Sequence, residues 1–308
     1  MHASLTIFLV LLPTLAAADS VVLKSHKRDV ETVAVSPDGK RYASGGDDGS
    51  VVVWANNTAS ATRASEDGPI DAIAFSPSGK LLAIGNQYGQ VTLWDPAANK
   101  ELFSAKDGSG RVVRIAFLPD GKSFYTASWD QTIRLWDVAT GKPSAKLVGP
   151  KSQLYGLALS TDGKQLWSCY SSGDVTSWDP KTNKIGATYN PMPKTASKGE
   201  CHAVALSTDG KTLAAGFDDG TVVFLNPSNG KELRRAKLED SVNSLAFAPD
   251  GKLAAATQNE ELATIDGKGL VTTLKGHGRA VTSVAVAPDG SHVISGSMDM
   301  TVRIWGAK

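Results

Sequence analysis

The sequence predicts an all-β protein, a seven-bladed β-propeller in which every blade is a four-stranded antiparallel sheet. Three features that recur along the 308-residue chain carry this prediction: a short turn, an apolar strand before it and a large apolar residue after it. The turn ends in glycine, and successive turn glycines are 39 to 47 residues apart. A period near 40 residues is typical of a propeller blade. The turn glycines are Gly39, Gly79, Gly121, Gly163, Gly210, Gly251 and Gly290.

The apolar strand before each turn has alanine as its middle residue in all seven copies, from residues 33–35 to residues 284–286. A strand that is apolar on both faces is buried on both faces. A small central side chain would allow these strands to approach one another around an axis. They are therefore predicted to be the inner strands of the blades.

The large apolar residue follows the turn glycine by fifteen residues in six copies and by fourteen in the sixth copy along the chain. No part of the repeat has a helical period or room for a crossover helix. Each copy is therefore predicted to be a meander of short antiparallel strands. The large apolar residues are Trp54, Trp94, Trp136, Trp178, Leu225, Ile265 and Trp305.

From Val21 to Trp305 these repeats resemble those of the WD-repeat family. The resemblance implies that a His, a Ser or Thr, an Asp and a Trp form a hydrogen-bonded set inside a blade. Only the first and seventh copies have all four residue types at the matching positions. These structural residues are His26, Ser44, Asp48 and Trp54 in the first copy, and His277, Ser295, Asp299 and Trp305 in the seventh.

The seventh copy lacks a fourth strand, since the sequence ends three residues after Trp305. Residues 21–26 parallel residues 272–277, which immediately precede the seventh copy. We therefore expect the N-terminal strand to complete the last blade and close the ring. Closure removes an open sheet edge, so deletion of residues 19–25 is expected to destabilise the protein.

The N-terminal segment differs from the repeats. Residues 5–15 are an apolar run that is followed by Ala16, Ala17 and Ala18. This pattern is typical of a secretory signal peptide, here residues 1–18, with cleavage before Asp19. The propeller is then residues 19–308, and the protein is expected to be exported, to the periplasm or as a secreted protein. No later stretch approaches the ~20 apolar residues of a membrane helix, so no membrane span is expected.

Composition and motifs exclude several function classes. The chain has 32 Lys and Arg against 31 Asp and Glu, without the basic surplus that phosphate binding favours, so no nucleic-acid partner is expected. It contains no G-x-S-x-G, no C-x-x-C and no H-x-x-x-H pattern. These patterns carry common hydrolase, zinc and redox chemistry. We therefore expect neither catalysis nor a cofactor.

Two cysteines occupy positions that face each other across a predicted blade interface. Other copies have mostly small residues at the position of Cys169 and apolar residues at the position of Cys201. Export into an oxidising compartment would allow a disulfide between them. The alternative is a pair of buried thiols that act as small hydrophobic residues, and the spacing does not decide between the two.

In proteins that this chain resembles, contact positions are two residues at the start of each inner strand and the residue before the structural Asp. On this rim Trp129 is expected to be exposed, with Arg111 and Tyr155 nearby, and such residue types dominate interface hot spots. The acidic residues of blades one and two are expected to attract a basic partner segment or to be merely solvated. The rim positions are Asp29, Glu31, Asp47, Asp71, Arg111, Trp129, Gln153, Tyr155, Glu200, His202, Asp218, Asn243 and Met298.

The sequence favours a non-enzymatic scaffold that binds protein partners on this rim outside the cytoplasm, as a monomeric propeller or as a subunit of a larger complex. One alternative is an enzyme or metal-binding propeller that uses the channel mouth to hold a divalent cation. Its candidate ligands are Asp29, Glu31, Asp71 and His202. Another alternative is a propeller subunit of an exported redox or transport assembly.

Overall fold

The computed structural model describes residues 20–64, 67–106, 108, 110–192 and 199–306. Within these ranges the chain forms 28 β-strands, which make seven four-stranded antiparallel sheets. The predicted all-β, seven-bladed propeller is therefore confirmed. The described residues include no helix with the length and apolar character that crossing a membrane requires. The expected signal peptide, residues 1–18, lies outside the described residues.

The first strand is β1 (Ser20–Lys24), and from β2 onwards the strands fall into blades in chain order. Blade one contains β2 (Val30–Val35), β3 (Arg41–Gly46), β4 (Ser50–Ala55) and β5 (Thr58–Ala64). Blade two contains β6 (Ile70–Phe75), β7 (Leu82–Asn86), β8 (Gln90–Asp95) and β9 (Lys100–Lys106). Blade three contains β10 (Val112–Phe117), β11 (Ser123–Ser128), β12 (Thr132–Asp137) and β13 (Pro143–Val148).

The remaining strands follow the same order. Blade four contains β14 (Leu154–Leu159), β15 (Leu166–Tyr170), β16 (Val175–Asp179) and β17 (Lys184–Tyr189). Blade five contains β18 (Cys201–Leu206), β19 (Leu213–Phe217), β20 (Thr221–Leu225) and β21 (Glu232–Lys237). Blade six contains β22 (Val242–Phe247), β23 (Leu253–Thr257), β24 (Glu261–Ile265) and β25 (Val271–Lys275). Blade seven contains β26 (Val281–Val286), β27 (Val293–Ser297) and β28 (Thr301–Trp305), together with β1.

The first strand of blades one to six, and β26 of blade seven, is the inner one, and the seven inner strands pack against one another in a closed ring. Val30 and Val33 of β2 are buried, as the apolar pattern predicts. Ala34 and Val35 are only half-buried. Burial on both faces is therefore incomplete. The inner strands surround a cavity of about 160 Å³ in the central channel.

Each blade locks onto the next by placing a large side chain in the gap left by a small residue. A Cβ on Gly45 in β3 would lie 2.5 Å from the side chain of Ile70, the first residue of β6. A Cβ on Gly216 in β19 would lie 2.5 Å from the side chain of Val242, the first residue of β22. Real side-chain atoms do not approach this closely, and forcing them to costs roughly 1–3 kcal/mol. The pairing of small and large residues therefore fixes how the blades pack.

Cysteines hold these two positions at the interface of blades four and five. Cys169 and Cys201 are buried free thiols, and Sγ of Cys169 lies 3.2 Å from the carbonyl oxygen of Cys201. A Cβ on Gly156 would lie 2.5 Å from this sulfur, so glycine makes room for it. Burial, with the neighbouring Cys169, raises the pKa of the Cys201 thiol well above its ordinary value. The disulfide, one of the two alternatives that the sequence left open, is not formed in this structure.

β1 closes the ring as expected. Residues Ser20–Lys24 pair antiparallel with Thr301–Trp305 along the whole strand. Leu23 is 4% exposed and belongs to an apolar cluster with Ile304 and residues of blade one. The strand therefore contributes backbone hydrogen bonds to blade seven and a side chain to the interface between the last and first blades.

The substitution Leu23→Ala is expected to lower the free energy of unfolding by about 2–4 kcal/mol, because it removes a buried side chain from the closing strand. Equilibrium denaturant titration measures this change. Val22 is 37% exposed on the same strand, and Val22→Ala should change the free energy by less than about 0.5 kcal/mol. Equal effects of the two substitutions would show that burial of β1 does not hold the ring closed.

Candidate functional site

Every inner strand contains a β-bulge at its second residue, where its register with the neighbouring strand shifts. A bulge bends the strand and re-aims the side chain of the extra residue. All seven bulged residues line a depression of about 200 Å³, which we call the channel mouth. They are Glu31, Asp71, Val113, Tyr155, His202, Asn243 and Thr282.

Residues outside the bulges complete the wall of the channel mouth; these are Arg111, Arg114, Trp129, Gln258 and Met298. Trp129, Gln258 and Met298 lie in turns between the second and third strands of their blades. The backbone N–H of Trp129 donates to the carbonyl oxygen of Arg111 at 2.9 Å, and that of Met298 donates to Ala280 at 3.0 Å. Backbone hydrogen bonds thus fasten these turns to the loops that enter the inner strands, whatever side chain the turn carries.

One side of the channel mouth is aromatic. The rings of Trp129 and Tyr155 meet edge to face with their centroids 5.9 Å apart, and the Tyr155 ring lies 4.8 Å from that of His202. The guanidinium carbon of Arg111 lies over the Trp129 ring, 5.1 Å from its centroid. The expectation that Trp129 is exposed was wrong: it is half-buried, because Arg111 and Tyr155 cover it and it also packs against the core of its own blade.

The opposite side of the channel mouth is acidic. Nη2 of Arg111 donates to Oδ1 of Asp71 at 2.5 Å and lies 3.7 Å from Oε2 of Glu31. Asp29 and Asp47 lie beside Glu31, so that one carboxylate oxygen of each of these three residues lies within 4.8 Å of the others. Arg111 therefore joins the aromatic side to the acidic side.

Two carboxyl groups of the acidic side, those of Glu31 and Asp71, have raised pKa values. Burial, followed by the charge of Asp47, raises the pKa of Glu31 to about 7, although Arg111 opposes the shift. Burial also raises the pKa of Asp71 to about 6 against the effect of the Arg111 guanidinium. Perturbed carboxyl groups in a concave site are a physical mark of a functional site.

Three buried polar atoms of the channel mouth have no hydrogen-bond partner among the described residues. They are Oδ2 of Asp71, Nε of Arg111 and Nε1 of Trp129. Native structures satisfy the large majority of buried polar side-chain atoms. One acceptor and two donors without partners therefore indicate that the site is completed by a ligand or by water.

The structure gathers most of the predicted rim residues in the wall of the channel mouth; these are Glu31, Asp71, Arg111, Trp129, Tyr155, His202, Asn243 and Met298. Asp29 and Asp47 lie next to this wall, beside Glu31. Gln153 and Glu200 lie outside the wall and contact it, since Gln153 accepts a hydrogen bond from Tyr155 and Glu200 pairs with His202. Asp218 is exposed and takes no part in the wall.

Sequence reasoning missed four residues of the wall: Val113, Arg114, Gln258 and Thr282. Val113 and Thr282 are the bulged residues of blades three and seven, and alignment with the other copies would have found them. Gln258 precedes Asn259, which stands at the structural Asp position, so the rule that selected Trp129 applies to it as well.

Arg114 gave no signal of this kind. It stands where the other inner strands have small residues such as Ala72 and Gly156. Its Nη1 donates to the carbonyl oxygen of Val113 at 2.8 Å, and its Nη2 donates to that of Asn243 at 3.2 Å. The side chain therefore bridges blades three and six across the channel, which no local pattern predicts.

The structural residues of blade one form a chain of hydrogen bonds behind the site. Nε1 of Trp54 donates to Oγ of Ser44 at 2.9 Å, and this oxygen lies 2.7 Å from Nε2 of His26. Nδ1 of His26 lies 3.2 Å from the carboxylate of Asp48. The same contacts at 2.7 to 2.9 Å join His277, Ser295, Asp299 and Trp305 in blade seven.

Blade three, which has Gly108 in place of the histidine, places an arginine beside its turn carboxylate. Nη2 of Arg134 donates to Oδ2 of Asp130 at 2.7 Å, while Nε1 of Trp136 donates to the Thr126 hydroxyl at 3.0 Å. The carboxylate in the turn therefore pairs with a side chain of β12 instead of one from the loop before the blade.

These features define a WD-type propeller with a polar and aromatic channel mouth. The family model for the WD domain, G-beta repeat, matches residues 19–55, 60–95, 100–137, 193–225 and 268–306, which is more than half of the chain. The chain belongs to this family. Blade four and the first three strands of blade six lie outside the matched segments, and these blades are among the copies in which another residue replaces the structural Asp, Ser172 in blade four and Asn259 in blade six.

Curated relatives match short parts of the chain. An intraflagellar transport protein 122 homolog of Xenopus tropicalis is 47% identical over 77 residues, 24% of this chain and 6% of that protein. The vegetative incompatibility protein HET-E-1 of Podospora anserina is 37% identical over 82 residues, again 24% of this chain and 6% of that protein. The WD repeat-containing protein 1-B of Xenopus laevis is 36% identical over 69 residues, 21% of this chain and 11% of that protein. The chain thus spans only a small part of the relatives that it matches.

The substitution Glu31→Gln is expected to stabilise the protein at pH 8 and to have little effect at pH 5. Because the pKa of Glu31 is about 7 in the folded state against an ordinary 4.5, its stabilising contribution is full below pH 4.5 and is lost as the pH rises through 7. Glutamine stays neutral, so the variant should gain about 2 kcal/mol at pH 8 in denaturant titrations. The exposed Asp218→Asn is the control. A gain of the same size at both pH values would contradict the assignment.

Proposed function

We propose that this propeller is a non-enzymatic scaffold whose channel mouth binds a segment of a partner protein. Propellers of this family generally bind protein partners and lack catalytic activity. The observation that carries the proposal for this chain is the convergence of bulged residues from all seven blades on one concave surface. A concave site with a few converging polar groups suits a projecting loop or an extended segment.

The aromatic side supplies the contacts that dominate protein interfaces. Trp, Tyr and Arg are enriched among residues whose truncation costs 2 kcal/mol or more. Trp129, Tyr155 and Arg111 lie together with partial exposure, and Nε1 of Trp129 is left without an acceptor. A backbone carbonyl of the partner would satisfy this N–H.

A hydrolytic function finds weaker support in the same region. Oγ of Ser241 lies 3.5 Å from Nδ1 of His202, whose Nε2 lies 3.2 Å from Glu200. The first distance is at the outer limit of a hydrogen bond, and the backbone N–H of Ser241 is already bound by Asp240. A nucleophile needs a closer base and free donors for the developing oxyanion, so this arrangement does not favour catalysis.

The substitution Trp129→Ala is expected to weaken binding of the partner by about thirtyfold or more, since a hot-spot truncation costs at least about 2 kcal/mol. The intact protein first captures a partner, which is identified, purified and titrated against both forms by calorimetry. Tyr88, an exposed aromatic residue outside the channel mouth, provides the control Tyr88→Ala. A partner that binds the Trp129 and Tyr88 variants equally well would place the interface elsewhere.

We also propose that the protein acts outside the cytoplasm. The support is the apolar run at residues 5–15 followed by the alanines before Asp19. In an exported compartment Cys169 and Cys201 are adjacent thiols that would exchange with a disulfide oxidant. The two thiols then lose two protons and two electrons to form one bond, while the oxidant is reduced to two thiols.

Mass spectrometry of the protein from its native host is expected to find an N-terminus at Asp19 and a mass lower by two hydrogens than that of the reduced chain. The denatured, unreduced protein should then contain no reactive thiol. The same chain without residues 1–18, made in a reducing cytoplasm, is the control and should show both thiols. An uncleaved N-terminus in the native protein would refute export.

A further inference from the structure

The channel mouth together with Asp29 and Asp47 beside it has more carboxylates than guanidinium groups, and this imbalance bears on the chemistry of the partner. Nη2 of Arg111 contacts Asp71 and approaches Glu31, and Nη1 of Arg279 lies 3.3 Å from Asp29. Nη1 of Arg114 donates to the carbonyl oxygen of the adjacent Val113, and its Nη2 donates to that of Asn243 across the channel. Two guanidinium groups therefore pair with the four carboxylates of Asp29, Glu31, Asp47 and Asp71, and the charge of the third, Arg114, also acts on Asp71.

Asp71 provides an independent sign that a ligand group is missing. Asp71 is only 4% exposed, and it lines the channel mouth. Oδ1 accepts from Arg111, whereas the buried Oδ2 has no partner among the described residues. A buried carboxylate oxygen left without a donor destabilises the protein, so a donor brought by a ligand would remove this cost.

We propose that the channel mouth binds one basic side chain, a lysine or arginine at the tip of an extended segment of the partner protein. The inference rests on the protein-binding function proposed above and specifies what the partner inserts. The acidic side formed by blades one and two would pair with the cationic head. The wall of Trp129 and Tyr155 would pack along its aliphatic stem. A depression of about 200 Å³ has room for one side chain of this length.

A divalent metal ion fits the same residues less well. The carboxylate oxygens of Asp29, Glu31 and Asp47 lie close enough to share an ion. However, Arg279 already pairs with Asp29, and Arg111 lies 3.7 Å from Glu31. These fixed positive charges would repel a dipositive ion more strongly than a singly charged side chain. Aromatic rings also form the other wall, where a hard cation needs oxygen ligands.

Proton release should accompany binding of the basic side chain. Glu31 faces Asp29 from the loop before β2, Asp47 from the β3–β4 turn, Asp71 from β6, and Arg111 and Arg114 from blade three. The charge of a bound cation favours the ionised form of Glu31, so the cation and the proton compete. With the pKa near 7 in the free protein, the affinity should rise about tenfold between pH 6 and pH 8.

The experiment uses three blocked pentapeptides with lysine, arginine or glutamine at the centre of four glycines. Titration into the full chain is followed by NMR through the indole N–H resonance of Trp129. Both basic peptides are expected to bind with a Kd of about 1 mM or tighter, and the glutamine peptide at least tenfold more weakly. Added salt should weaken binding of the basic peptides by screening the charges.

The variants Glu31→Gln and Asp47→Asn should each weaken binding of the basic peptides by about tenfold. Asp218→Asn is the matched control, because Asp218 holds the position of Asp47 on blade five but, unlike Asp47, does not lie beside Glu31 at the channel mouth. It should leave the Kd unchanged.

Several results would overturn the proposal: equal Kd values for the basic and glutamine peptides, no binding up to about 10 mM, or stoichiometric calcium binding that Asp47→Asn abolishes. The function proposed above fails separately. A partner whose binding depends on Trp129 but not on Glu31 or Asp47 would uphold the scaffold and refute the basic side chain. If the basic peptides bind specifically but the partner binds equally well to the Trp129 variant, the basic side chain would be upheld. The scaffold proposed for this site would then be refuted.

Discussion

The contact between a small residue in one blade and the first large residue of the next inner strand is the constraint on which the rest of the propeller depends. Gly45 with Ile70 and Gly216 with Val242 are two examples, since neither glycine has space for a Cβ. The contact sets the distance between neighbouring sheets and also anchors the start of each inner strand. Blade angle and strand position therefore follow from one pair of residues at each interface.

This anchor also orients the channel mouth. The buried anchoring residue, such as Ile70 or Val112, is followed immediately by the bulged residue, so Asp71 and Val113 project from a fixed backbone. The anchor carries the packing energy, and the next residue is free to vary between acid, aromatic, histidine and valine. Packing between blades and the lining of the channel mouth are thus assigned to adjacent residues of the same strand. The cysteine pair between blades four and five follows the anchor pattern and does not line the channel mouth.

The seven-fold period, the inner strands and the closing role of β1 could be predicted because each rests on local spacing repeated along the chain. The rim was largely predictable for the same reason, since a position such as that of Trp129 or Tyr155 is defined by its place in the repeat. The burial of Trp129 could not be predicted, because it depends on Arg111 of the same blade and on Tyr155 of the neighbouring blade. Arg114 was missed because its partner oxygen, on Asn243, lies three blades further along the chain and across the channel. The convergence of the acidic residues likewise arises from ring geometry.

Closure by β1 has a consequence for the order in which the ring assembles. Ser20 pairs opposite Trp305, so the strand before blade one finds its partner in the last blade, beyond all seven inner strands along the chain. Contacts of such high sequence separation form late, because the intervening chain must first be ordered. Until then β1 and the free edge of β28 are both templates for pairing with another chain. The ring is thus most open to intermolecular pairing before it closes, and it loses that exposure in the single step that completes blade seven.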